Sequence, residues 1–301
     1  MQPLPRCSTS LPGMCPLCGM GLDPARGFTV RGRRFARCQG CHAHVQIPLP
    51  NPADVEAFYR QRYYEKFGAA EASPARQAML RLLLEKIPRR PPGRLLDVGC
   101  GAGHLLALAR SAGWEVAGVD PSPSACAMAR QEYGIEVQAA FLEAADLPEA
   151  AFNVVTLVNV LDQAPNPVRL LETVRRTLRP GGLVVVRVLN SDFHRMAWTF
   201  LRCLPTPLIH RLQPFVIFHP FCLNPRAVRA LLERTPLTRI LVTSAPVSAT
   251  EYGLPSGIVG RALVASLAAL ARTALGAGAA LAGDRFLWAP SILAFAERDV
   301  G

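Results

Sequence analysis

The sequence predicts an α/β protein: a doubly wound, mostly parallel sheet with a small metal-held module at its N-terminus. Three observations predict it. From residue 94 onward, short apolar runs alternate with helical segments, as expected when helices cover both faces of a parallel sheet. The first of these runs ends in Asp97 and leads through Gly99, Gly101 and Gly103 straight into a helix. Residues 15–48, by contrast, hold two Cys-x-x-Cys pairs and little apolar periodicity.

A chain of 301 residues accommodates one large and one small domain. The organisation read along it is a lead-in at 1–14, the cysteine module at 15–48, a linker and helix at 49–73, and the large domain at 74–301. Half the residues are hydrophobic and 18% are charged, which excludes a disordered chain. The net charge of +11 is carried by arginine, with Lys66 and Lys86 as the only lysines. Because the arginines are scattered, this charge alone does not specify a nucleic-acid partner. The start, Met-Gln-Pro-Leu-Pro-Arg, has no apolar signal-peptide core, so a cytoplasmic setting is expected.

In order, Pro48, Pro50 and Pro52 form an extended linker, and Asn51 or Asp54 caps a short helix through Tyr64 in which Phe58, Tyr59 and Tyr63 recur. A second helix over 74–87 places Met79, Leu82, Leu83 and Ile87 on one face. Strands are predicted at 94–98, 115–119, 135–138, 153–158 and 182–189, with helices at 103–112, 122–133 and 167–178 between them. An irregular, aromatic-rich segment covers 190–222. A helix at 224–234, a strand at 238–244 and a closing strand from Ser291 to Glu297 complete the domain. The Ala- and Leu-rich stretch 258–282 is long enough to span a bilayer, but Arg261 and Arg272 interrupt it. At about 100° per residue the two arginines return to one helix face. A helix lying on the protein is expected, with contact to the inner-membrane surface as the alternative.

The glycine turn carries the chemistry. In Leu95-Leu96-Asp97-Val98-Gly99-Cys100-Gly101-Ala102-Gly103-His104, glycines let the backbone bend sharply and let a ligand approach it. The following helix offers free N–H groups at its start. A dinucleotide enzyme would place its third glycine at position 104, where this chain has His104. The carboxylate of Asp97 repels a pyrophosphate but suits the cationic amino group of a methionine-type ligand, which points to S-adenosylmethionine. Asp120, at the tip of the second strand, is placed to accept ribose hydroxyls.

With Phe152-Asn153-Val154-Val155 on the fourth strand and Leu178-Arg179-Pro180-Gly181-Gly182 entering the fifth, residues 74–244 resemble the class I S-adenosylmethionine-dependent methyltransferases, with their Rossmann-like sheet. The resemblance implies that Cys100 and the glycines of the turn lie along the cofactor. It further implies that Phe141 and Leu142 lie against its adenine, and that Asn159 lines its methionine side. The usual acidic contact to the adenine amine is missing at Phe141, so Glu143 or a backbone group must serve. Where many relatives carry Glu-His, this chain has Asp162-Gln163. It also lacks the Asn/Asp-Pro-Pro-aromatic motif of base-amine methyltransferases, having Asn159-Val160-Leu161-Asp162 instead, which favours an oxygen or carbon acceptor.

Cys15-Pro-Leu-Cys18 and Cys38-Gln-Gly-Cys41 can supply four thiolates to a tetrahedral zinc. Four thiolates leave no open coordination position, so this zinc would be structural; His42 and His44 are not needed as ligands. A zinc ribbon, a Pro-x-Pro linker, a Tyr-rich helix and the glycine turn together resemble one bacterial branch of the superfamily. Asn190 and the near-motif His219-Pro-Phe221, Asn224-Pro225 match it too. Its members act on small-molecule, sugar and lipid-linked acceptors, which implies that 190–222 and 245–287 are substrate-side insertions. If the acceptor must lose a proton, His219 is the preferred base, ahead of His194, His210, Asp162 and Asp192. The competing readings are an RNA methyltransferase gripping phosphates through a basic zinc module, and a non-catalytic cofactor-binding scaffold. Few module aromatics beyond Phe28 and Phe35 are available for base stacking, which argues against nucleic acid.

Overall fold

The computed structural model describes residues 13–87, 92–203, 205, 216–245 and 289–300. His210 and the stretch 258–282 lie outside these residues. Among the described residues, no helix is long and apolar enough to cross a membrane.

The large sheet is built from β4 (Arg94–Val98), β5 (Glu115–Val119), β6 (Val137–Gln138), β7 (Phe152–Val158), β8 (Leu178–Leu189), β10 (Leu237–Ser244) and β11 (Ser291–Arg298). Their spatial order is β10-β11-β8-β7-β4-β5-β6. The five central and early strands pair in parallel, and β11 and then β10 add antiparallel at the far edge. Strand order reverses beside β4: the chain runs outward through β5 and β6, then returns on β4's other side as β7. This switch point opens a crevice at the carboxyl ends of β4, β5 and β7, where such folds bind ligands.

The sheet interior is apolar on both faces, with Leu95, Leu96, Val154, Val155, Leu157 and Val184 fully buried. Each such side chain contributes roughly 1.5–3 kcal/mol. The covering helices are α3 (Pro74–Lys86), α4 (His104–Ser111), α5 (Pro123–Tyr133), α6 (Pro167–Thr177) and α8 (Pro225–Arg234), all but α4 beginning with proline. Ser73, Ser122, Asn166 and Asn224 cap these proline-led helices, each accepting an N–H from the first turn.

Three elements differ from the sequence reading. The predicted helix through Tyr64 is two helices, α1 (Pro52–Gln61) and α2 (Tyr63–Glu71), breaking at Arg62. The third strand shrinks to two residues at the sheet edge. The segment after β8 is not irregular at its start: Asn190 caps α7 (Ser191–Leu201), whose inner face includes His194 and Leu201.

The cysteine-rich residues form β1 (Leu22–Val30), β2 (Arg33–Cys38) and β3 (His44–Ile47), an antiparallel meander. A fourth strand, β9 (Phe221–Cys222), joins β3 from the other end of the chain. The expectation that metal replaces a core in this region is corrected: Leu17, Val30, Phe35, Ala36 and Val45 are buried there. Cys15, Leu17, Cys38 and Cys41 pack in one cluster with Leu223, Val228 and Leu231. Arg234 from α8 donates to the carbonyls of Pro16 and Leu17, and Arg33 donates to that of Phe218.

Candidate active site

At the switch point the chain forms an open-mouthed cavity of about 1100 Å³, counted with the solvent at its mouth. Its floor is the glycine turn. Gly99 (φ 70°), Gly101 (φ 54°) and Gly103 (φ 78°) all take left-handed backbone, which side chains disfavour. A Cβ on Gly99 would also stand 2.5 Å from Val160 Cγ2. Gly99 and Gly101 line the cavity with Cys100, whereas Gly103 caps α4 and faces Ala129 instead.

Asp97 lines the cavity at the end of β4, 3% exposed, and accepts a 2.6 Å hydrogen bond from Thr156. Burial pushes its carboxyl up to about 7, against the opposing pull of that hydrogen bond and of Arg76. Asp120 ends β5. Its carboxylate accepts from Gly101 N and Ser122 N, both at 2.8 Å, and burial raises its pKa. Ser122, not Asp120, caps the following helix, so the Asp120 carboxylate keeps lone pairs for the cavity. Phe141, Leu142 and Glu143 form one wall, and burial raises Glu143 as well.

Opposite stand residues the sequence reading did not assign to the site. Arg76, on α3, pairs with Glu71 at 3.0 Å, and Tyr63 donates to the same carboxylate at 3.1 Å. Tyr59 and Tyr63 rings lie 5.0 Å apart and roof the cavity. Only the aromatic spacing of α1 was visible in the sequence; nothing local marked Glu71 or Arg76. Asn153, the departure at the start of β7, accepts from Arg94 N at 3.0 Å and so ties β7 to β4.

Asn159 lines the cavity just past β7, with left-handed backbone at φ 60°. Asp162 and Gln163 part company: Gln163 faces the cavity, while Asp162 is buried against His219, Oδ2 to Nδ1 at 2.8 Å. His219 is one-fifth exposed and is not among the residues lining the cavity, so its free Nε2 would have to meet an acceptor from the neighbouring side. His194 is fully buried, and desolvation lowers its pKa to about 4, which leaves it poorly placed as a base. Asp192 is desolvated beside Arg195 and Arg37.

The four cysteines form a separate cluster, their sulfurs all within 4.8 Å of one another. Cys18 and Cys38 sulfurs are 3.3 Å apart, and Cys15 and Cys41 3.8 Å. Four convergent thiols, largely buried and none in a disulfide, suit a tetrahedral zinc. His44 is buried against Phe28, and His42 contacts Arg37, so neither histidine joins the set.

A methyltransferase-domain family model matches residues 67–235, more than half of the chain. The chain belongs to this methyltransferase family. It is 37% identical over 105 residues to the ubiquinone biosynthesis O-methyltransferase of Alkalilimnicola ehrlichii, a match covering 33% of this chain and 42% of that one. The chain thus spans under half the length of that curated relative. Among solved structures, a possible histamine N-methyltransferase from Thermotoga maritima superposes with a TM-score of 0.51 at 14% identity, covering 81% of this chain and 98% of that one. The plantazolicin methyltransferase BpumL in complex with SAH gives a TM-score of 0.52 at 14% identity, covering 81% and 93%. These two likenesses establish the fold. The glycine-turn cavity occupies the switch point of this methyltransferase fold.

Proposed function

We propose that the cavity holds S-adenosylmethionine with its methionine end between Asp97 and Arg76, its ribose on Asp120 and its adenine against Phe141 and Leu142. Gly99, Cys100, Gly101 and Asn159 lie along it, Gly103 shapes the turn from behind, and Glu143 takes the adenine amine. The methyl group passes to an oxygen or carbon of a small-molecule, sugar or lipid-like acceptor. Asp97 carries this reading: a buried carboxylate on the cavity floor gains most from a cationic ligand.

When bound, S-adenosylmethionine supplies a methyl group on a cationic sulfur. The chain's own residues then align the acceptor and exclude water. The tyrosine roof performs the second task, and the His219–Asp162 pair, met from the side next to the cavity, takes the acceptor's proton. Cys15, Cys18, Cys38 and Cys41 hold a structural zinc. The likeness to an O-methyltransferase favours oxygen over carbon.

Nucleic acid is disfavoured by the use of the module's own residues. Phe28 and Phe35 stack on one another at 4.8 Å, and Phe35 is buried. Arg31 and Arg33 donate to backbone carbonyls of Val216 and Phe218.

Incubation with methyl-labelled S-adenosylmethionine and a metabolite extract tests the proposal. Label is expected in a low-molecular-weight product, with label in RNA as the contrary result. His219→Gln is expected to lower turnover of that product about a hundredfold or more while SAH affinity stays unchanged. Equal loss of both would mark His219 as structural.

A further inference from the structure

Asn159 sits at the mouth of the switch point with its hydrogen-bonding groups almost wholly committed. Its N–H donates to the Arg187 carbonyl at 2.7 Å. Its own carbonyl accepts from Gln163 Nε2 at 2.6 Å, and its side-chain Oδ1 accepts from Arg187 Nη1 at 2.6 Å.

Arg187 is fully buried in β8, and its other arm donates to Ser291 Oγ on β11 at 3.0 Å. A guanidinium has donors and no acceptors, so the atom of Asn159 that meets it must be the oxygen. The amide orientation, ordinarily ambiguous, is therefore fixed by chemistry. The same logic fixes Gln163. A main-chain carbonyl can only accept, so Gln163 turns Nε2 toward Asn159, and its Oε1 receives the Tyr59 hydroxyl at 2.5 Å. Both oxygens of Asn159 are thus engaged by protein donors. The N–H2 of its amide is what this residue offers the cavity it lines.

Where the acceptor meets Asn159 beside the cofactor's methionine side, an amine would need lone pairs; an acceptor oxygen, above all a deprotonated one, needs donors. The buried guanidinium of Arg187, donating to Oδ1, also polarises the amide and strengthens its N–H groups as donors.

We infer that Arg187 is a positioning residue: from within the sheet it turns the Asn159 amide so that the site binds oxyanions and disfavours amines. The inference rests on the cavity being the S-adenosylmethionine site, and it gives the oxygen acceptor a structural basis within this chain.

The test uses the full zinc-loaded chain, labelled with ¹⁵N-asparagine and saturated with SAH. The side-chain resonances of Asn159 are identified by their loss in Asn159→Asp. Formate, a small oxyanion, and methylammonium, a small ammonium, are then titrated separately. Formate is expected to shift the Asn159 N–H2 resonances saturably, and methylammonium to leave them unmoved. In Arg187→Met the formate response is expected to weaken about tenfold or more. Arg187→Lys, which keeps the charge with one donor group, gives an intermediate loss and serves if the methionine variant does not fold. A response to methylammonium, a response to neither probe, or an unchanged formate response in both Arg187 variants overturns the inference. Failure of SAH to bind before any titration overturns the cofactor assignment, and this inference with it.

Discussion

Asp97→Asn is expected to weaken SAH binding about a hundredfold while leaving thermal stability unchanged or slightly raised. The two effects have one cause. Asp97 is buried, so its ionised form is costly in the empty cavity and gains most when a cationic ligand arrives. Asparagine removes that cost and that gain together. The pH dependence follows with a definite sign. Burial holds the free carboxyl up to about 7, with Asp120 and Glu71 adding to the shift and Thr156 and Arg76 opposing it. Below that pH, binding a cation must expel a proton, so affinity rises with pH up to about 7 and then levels. Calorimetry in two buffers of different ionisation enthalpy reads the released proton directly. In Asp97→Asn the proton release attributed to this carboxyl should vanish.

Removing the metal is the second large effect. Zinc bound by four thiolates contributes on the order of 10 kcal/mol to folding of an isolated module. Here the cysteines pack in the same cluster as Leu223, Val228 and Leu231, and β3 pairs with β9. Loss of the metal should therefore disturb the segment that carries His219. Cys38→Ser, or treatment with a strong chelator, is expected to lower the melting temperature by about 10 °C or more. Elemental analysis should show one zinc per chain before treatment. An unchanged melting temperature after the zinc is lost would show that Leu17, Phe35 and Val45 hold this region without it.

The sheet was legible because parallel strands buried on both faces read as near-continuous apolar runs, broken here only by Asp97 and Thr156. Leu95–Val98 and Val154–Val158 are such runs, each flanked by a glycine turn or a capped, proline-led helix. The cavity floor was legible for the same local reason: Asp97, the glycines and Asp120 fall within one strand-turn-helix-strand unit. What escaped was carried by packing between distant segments. Arg76 and Glu71 sit on helices whose local sequence gives no sign of a ligand. Arg187 is a charge within a valine-rich strand, and its partners Asn159 and Ser291 lie 28 and 104 residues away. β9 has two residues, too few for any periodicity, and exists because β3 offers it an edge. The helix α7 was hidden by the aromatic residues around it, although Asn190 caps it.

We propose that the glycine-turn cavity is shaped for a positively charged sulfur nucleoside. Isothermal calorimetry of the zinc-loaded chain against S-adenosylmethionine, SAH and NAD tests it most directly. The predicted result is saturable one-to-one binding of the first two and none of NAD. Binding of NAD with indifference to both sulfur nucleosides would contradict it.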